Sequence, residues 1–125
     1  MSDFFLTAVL TLDASVRVCV PLIFAAMAGL FAERSGVVDI GLEGKLLMSA
    51  FVAASAASVF GSPWLGLIAG MFASAVLAMI HGFASITYKG NQIVSGVAIN
   101  ILASGLTMIL TLAWFKRGGI TPTLQ

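Results

Sequence analysis

From Leu46 to Tyr88 this chain carries no Asp, Glu, Lys or Arg. A membrane-crossing helix needs about 20 consecutive, mostly apolar residues, and this run is about twice that length. Gly61-Ser62-Pro63 divides it. Proline directly after Gly-Ser stops one helix and can open another, so the run reads as two helices joined by a tight hairpin. A second uncharged stretch, Gly90 to Phe115, is also long enough to span, and a third, Val18 to Ala32, is short for a span. The third must borrow residues before Arg17, tilt, or be completed by the glycine-rich segment that follows it.

Only 9% of the 125 residues are charged, 60% are hydrophobic, and the mean hydropathy is +1.11. Soluble domains carry about a quarter charged residues, so this chain lacks the charge to cover a water-facing surface. The expected architecture is an all-α integral membrane bundle of about four segments, 14–33, 44–60, 64–86 and 92–115, with a broken or re-entrant glycine-rich turn after the first. The opening Asp3 to Leu12 is too short to span and is expected at the interface or in the cytoplasm. A cleaved signal peptide fits poorly, because Asp3 and Asp13 precede the apolar run where basic residues would be wanted. A formal charge of +1 leaves no basic patch for nucleic acid. The single Cys19 lies in an apolar run and reads as a small hydrophobe.

Charge does not orient the chain. With the N-terminus inside, Arg17, Lys116 and Arg117 fall inside while Arg34, Lys45 and Lys89 fall outside, a tie under the positive-inside rule.

Helix packing is better specified. Gly66, Gly70, Ser74, Ala78 and Gly82 recur every four residues in the third segment, a spacing that lets another backbone approach closely. The second segment offers Ser49, Ala53, Ala57 and Gly61 on one face and Ala50, Ala54 and Ser58 on another. These two segments are expected to pack as an antiparallel hairpin. In the fourth segment Gln92, Gly96, Asn100, Ser104, Thr107 and Thr111 follow steps of three and four and share one helical face. A polar stripe in a lipid-length helix faces protein or water rather than acyl chains. It either holds helices together by hydrogen bonds or lines a path for a polar solute, with Asn100 the residue most worth testing. His81 lies deep in the third segment, with no acid beside it for a proton relay, and reads as a neutral histidine bonded to a neighbouring helix.

Glu33 to Lys45 places Gly36, Gly41 and Gly44 among carboxylates and among the apolar Val37, Val38, Ile40 and Leu42. Irregular backbone at membrane depth is tolerated only where protein or a water-filled cavity surrounds it, and broken segments of this kind mark substrate paths in transporters. Asp39 and Glu43 are the candidate path residues here. Glu43 and Lys45 are too close in sequence to face each other on a helix. Hard carboxylates without histidine or cysteine support make no metal site.

The stretch Gly29-Leu30-Phe31-Ala32-Glu33-Arg34-Ser35-Gly36-Val37-Val38-Asp39-Ile40-Gly41-Leu42-Glu43-Gly44 resembles the signature near the start of ABC-importer permeases of the ribose and branched-chain amino acid type, nearest the nucleoside branch. Asn91 to Asn100 resembles the opening of a later helix in that branch. Ala113-Trp114-Phe115 with Gly118-Gly119 and Thr121-Pro122 is similar to the loop that follows. Asp39 stands where many relatives have asparagine. The resemblance implies a bacterial inner-membrane permease with about twice as many spans and a cytoplasmic N-terminus. It also implies a second permease subunit, a cytoplasmic ABC ATPase, and an extracytoplasmic solute-binding protein as partners. ATP is then handled on the ATPase, with no cofactor in this chain, in keeping with the lack of a Walker-type phosphate loop. No nucleophile–base arrangement suggests an enzyme. The sequence stops at Ile120 to Gln125, before the family's ATPase-contacting loop, so it reads as the N-terminal part of a longer permease, unable alone to transport. A secondary transporter or channel, or a non-transporting assembly subunit, are the alternative readings.

Overall fold

The structure is a computed structural model and describes residues 2–116. Four long helices make up almost all of it: α1 (Ser2–Arg34), α2 (Leu42–Phe60), α3 (Pro63–Gly82) and α4 (Gln92–Phe115). A π-helical turn, Phe83–Thr87, extends α3. All four are long and apolar enough to cross a membrane. Among the described residues there is no strand.

Residues 3–12 are continuous with the first segment in one unbroken helix of 33 residues. Several of its polar side chains are satisfied within the helix. The hydroxyls of Thr7, Thr11 and Ser15 donate to the carbonyls of Asp3, Thr7 and Thr11, each four residues back. Asp13 accepts from Arg17 Nε at 2.9 Å, an i,i+4 pair with the acid on its favoured N-terminal side. At 1.5 Å per residue α1 is about 50 Å long, well beyond the ~30 Å hydrocarbon core. It touches the rest of the structure at its C-terminal end, where Gly29 packs on Leu42.

Each connection has a local cause. α1 ends in a Schellman motif: Gly36, at φ +83°, donates to the Glu33 carbonyl while Val37 donates to that of Ala32. Only glycine adopts that left-handed conformation without a penalty. The α2–α3 hairpin is capped by Gly61 in the left-handed region, followed by extended Ser62 and by Pro63 at the first helical position. Asn91 caps α4, its side-chain oxygen accepting from the Ile93 and Val94 amides at 3.0 and 3.2 Å.

α2 lies between α3 and α4, antiparallel to the first and running the same way as the second. Met48, Phe51, Leu77 and Ala103 form the buried centre, with Val52, Leu110 and Phe115 against it. Trp114 stacks on Phe51 with ring centroids 6.4 Å apart. Gly66 and Gly70 set the α2–α3 approach. A Cβ on Gly66 would sit 2.6 Å from the Ala53 carbonyl oxygen, and one on Gly70 would sit 2.8 Å from that of Ser49.

The small-residue row does not continue as a contact line. Ser74 and Ala78 border an open groove beside α2, and a Cβ on Gly82 would meet nothing within 4 Å. The reason is helical geometry: a strict step of four overshoots each turn by about 40°, so Gly82 lies about 160° around the helix from Gly66. The buried face follows Gly66, Gly70, Leu77 and His81 instead.

Candidate functional site

The loop between α1 and α2 buries one side, with Asp39 largely covered and Gly41 buried, while Val38 and Ile40 stay exposed. It is laid against the first turns of α4 and the last turn of α3. Gln92 Oε1 accepts from the Val38 amide at 2.6 Å. Asn100 works in both directions: its Oδ1 accepts from the Gly44 amide at 2.7 Å and its Nδ2 donates to the Ile40 carbonyl at 3.1 Å. Between them, Gly96 leaves room for the loop; a Cβ there would sit 2.9 Å from the Gly41 nitrogen. Asn100 lies eight residues into α4, about 12 Å along its axis. The first turn of α2 is therefore sunk below the start of α4, with the loop's backbone polar groups met by side chains.

Behind this contact sits a compact polar cluster. Asp39 Oδ2 is paired with Lys45 Nζ, and Asp39 Oδ1 accepts from the Gly41 amide at 3.1 Å. The two side chains retain 11% and 5% of their surface, so the pair is withdrawn from solvent. His81, 2% exposed, has Nδ1 at 3.1 Å from Ser95 Oγ and Nε2 at 3.3 Å from the Val38 carbonyl oxygen. A neutral ring with its proton on Nε2 satisfies both: it donates to Val38 and accepts from the Ser95 hydroxyl. Asp39 Oδ1 lies 3.8 Å from the same Nε2.

On the other side of α2's first turn, a groove opens between α2 and α4. Its mouth is bordered by Glu43, Gly44, Leu47, Asn100, Ile101 and Ser104, with a volume of about 210 Å³. Leu47 and Ser104 also border its continuation, about 530 Å³, which runs past Ala50 and Ala54 on α2 and Thr107 and Thr111 on α4. Thr107 and Thr111 donate to carbonyls four residues back, at 2.8 and 2.6 Å, so their oxygens can still accept. Glu43 is exposed and makes no hydrogen bond or ion pair among the described residues. The groove thus offers a carboxylate, an amide and three hydroxyls on an otherwise apolar wall, a set that can bind a neutral polar solute by hydrogen bonds and has no catalytic pairing.

The structure sorts the residues singled out from sequence into two groups. Glu43, Ser104 and Thr107 border the groove, Asp39 and Gln92 hold the loop, and Asn100 does both. The partnership of Asp39 with Lys45 escaped the sequence reading, which considered Lys45 only against Glu43 and counted it as an outside loop charge. Lys45 is instead 4% exposed within α2. The available signal was a lysine at the edge of a long uncharged run, six residues after an aspartate in an apolar loop. The two longest motifs, Gly29 to Gly44 and Asn91 to Asn100, prove to be the two halves of one contact. The third, Ala113 to Phe115, ends α4, while its Gly118-Gly119 and Thr121-Pro122 lie outside the described residues.

Comparison with known proteins agrees with this reading of the motifs. The chain is 45% identical over 103 residues to the guanosine ABC transporter permease protein NupQ of Bacillus subtilis, covering 78% of this chain and 32% of that protein. It is 35% identical over 106 residues to the nucleoside ABC transporter permease protein NupC of Lactococcus lactis, covering 80% of this chain and 33% of the relative. A protein of Haloferax volcanii, TsgC13, provisionally named a glucose ABC transporter permease protein, is 36% identical over 106 residues, covering 85% and 32%. The chain thus spans about a third of the length of these curated relatives. No solved structure matches it significantly. The family model described as the permease component of the branched-chain amino acid transport system matches residues 11–123, nearly the whole chain and both halves of the loop contact, and this multi-pass membrane chain belongs to that family.

Proposed function

We propose that this chain is part of the membrane-spanning subunit of an ATP-driven importer of the bacterial inner membrane, and that the solute it passes is a nucleoside. The observation that carries the reading is the α2–α4 groove, bordered by Glu43, Asn100, Ser104, Thr107 and Thr111, in a chain whose relatives include guanosine and nucleoside transporter permeases. Glu43 can accept hydrogen bonds from two adjacent sugar hydroxyls, while the free face of the Asn100 amide and the threonine oxygens serve other polar edges. The groove falls within the ~300–1,000 Å³ range of small-molecule sites. Energy coupling then belongs to a separate ATPase subunit, and the complete importer includes a second permease subunit and an extracytoplasmic solute-binding protein.

The test is uptake of radiolabelled guanosine and glucose in the native organism, comparing the wild type with a strain lacking the gene that encodes this chain. Loss of guanosine uptake, with the wild-type activity sensitive to ATP depletion but not to a protonophore at constant ATP, is the expected result. Loss of glucose uptake alone would move the solute to sugars. Protonophore sensitivity at constant ATP would point to a secondary transporter.

A further inference from the structure

Asp39 and Lys45 are withdrawn from solvent, whereas Glu43 between them in the chain is exposed. A buried ion pair is seldom retained for stability alone, since desolvation offsets most of the attraction. Its geometry suggests another role. Asp39 sits in the docked loop, its second oxygen tying down the Gly41 amide at the start of α2. Lys45 sits in the first turn of α2 itself. The pair therefore links the loop to the helix that the loop precedes. Glu43 is two residues from Lys45, about 200° around the helix. Holding Lys45 against the loop turns Glu43 to the opposite side, into the groove mouth.

We propose that Asp39 and Lys45 are a mutually compensating positioning pair: they fix the rotation of α2's first turn, and with it Glu43, and neither touches the solute. His81 supports the same arrangement by holding the Val38 carbonyl. What matters in this account is that the two charges cancel. Removing one strands the other in a dry site, whereas removing both with groups of similar volume leaves the packing intact. The solute-dependent arm of the test rests on the importer reading above; the assembly arm does not.

The experiment uses the full native protein carrying Asp39→Asn, Lys45→Met, or both. Folded yield is read by size-exclusion in mild detergent, and guanosine KM and maximal rate are read in cells. Each single substitution is expected to lower folded yield by roughly tenfold or more, and the double to restore it to about the wild-type level. In the double variant the guanosine KM rises severalfold, because Glu43 is no longer held at the groove mouth, and it rises no further when Glu43→Gln is added. A double variant that folds and keeps the wild-type KM would overturn the proposal, since Glu43 would then be placed without the pair; a further rise in KM from the pair's removal in a Glu43→Gln background would overturn it by placing these side chains on the solute. Single variants indistinguishable from wild type, or a double no better than the singles, would overturn it as well. Should the wild type prove not to transport guanosine, the functional reading fails while the yields still decide the pairing.

Discussion

Gly44→Ala adds one methyl group where α2 crosses α4. Its Cβ would lie 2.8 Å from Asn100 Cα, 2.8 Å from Asn100 Oδ1 and 2.9 Å from the Ile99 carbonyl oxygen. Two of these atoms are backbone and the third belongs to an amide whose two ends are each held by a hydrogen bond, so none can turn aside. Ordinary contact begins near 3.4 Å, which means that the helices must separate by about 0.6 Å. Overpacking of this kind costs about 1–3 kcal/mol, and loosening the Gly44–Asn100 hydrogen bond adds about 0.6–2 kcal/mol. Alanine returns about 0.5–1 kcal/mol through its better helix propensity, leaving a net loss of about 1–4 kcal/mol. Gly82→Ala supplies the control, because its Cβ meets nothing within 4 Å and only the propensity gain of about 0.5–1 kcal/mol remains. The assay is thermal stability of the full native protein in mild detergent, followed by size-exclusion. Gly44→Ala should melt well below wild type, and Gly82→Ala at or above it. A Gly44→Ala protein as stable as wild type would refute the close-crossing argument. A damaging Gly82→Ala would show that the every-fourth-residue row is a contact line after all, made to something outside the described residues.

Other expected outcomes follow from the same contacts. Gly36→Ala forces a side chain to φ +83°, a strain of about 1–2 kcal/mol, and should lower thermal stability while leaving the guanosine KM of the folded fraction unchanged. Asn100→Leu removes two hydrogen bonds to the loop, each contributing about 0.6–2 kcal/mol, and should raise hydrogen–deuterium exchange at the Val38 to Gly44 amides relative to the α2–α3 hairpin. Equal exchange in mutant and wild type would contradict that. Glu43→Gln alters an exposed groove carboxylate with no partner among the described residues, so folded yield should hold while the guanosine KM rises severalfold.

Much of this arrangement was legible before any coordinates. Runs without charge mark the helices because lipid admits nothing else, and Gly61-Ser62-Pro63 marks its hairpin because each residue has one conformational role there. The polar stripe on α4 was legible as a face for the same reason. Its division was not. Whether Gln92 and Asn100 serve the loop while Ser104 and Thr107 border a groove depends on how deep the loop descends, and depth is a tertiary property. The Asp39–Lys45 pair was hidden because six residues spanning a loop and a helix start have no fixed geometry. Of the row from Gly66 to Gly82, only Gly66 and Gly70 meet α2 closely, because a pattern of period four winds around a helix of period 3.6. The continuity of residues 3–12 with α1 has a local reason: three hydroxyls and one ion pair satisfy themselves along the helix.

The most direct test of the central claim, that this chain is part of an ATP-driven importer, is to tag the native protein, solubilise its own membranes in mild detergent, and identify by mass spectrometry everything that is retained. The account predicts co-purification of an ABC ATPase and a second permease subunit, with ATP hydrolysis in the recovered complex. Recovery of the solubilised protein in quantity with no ATPase would contradict it.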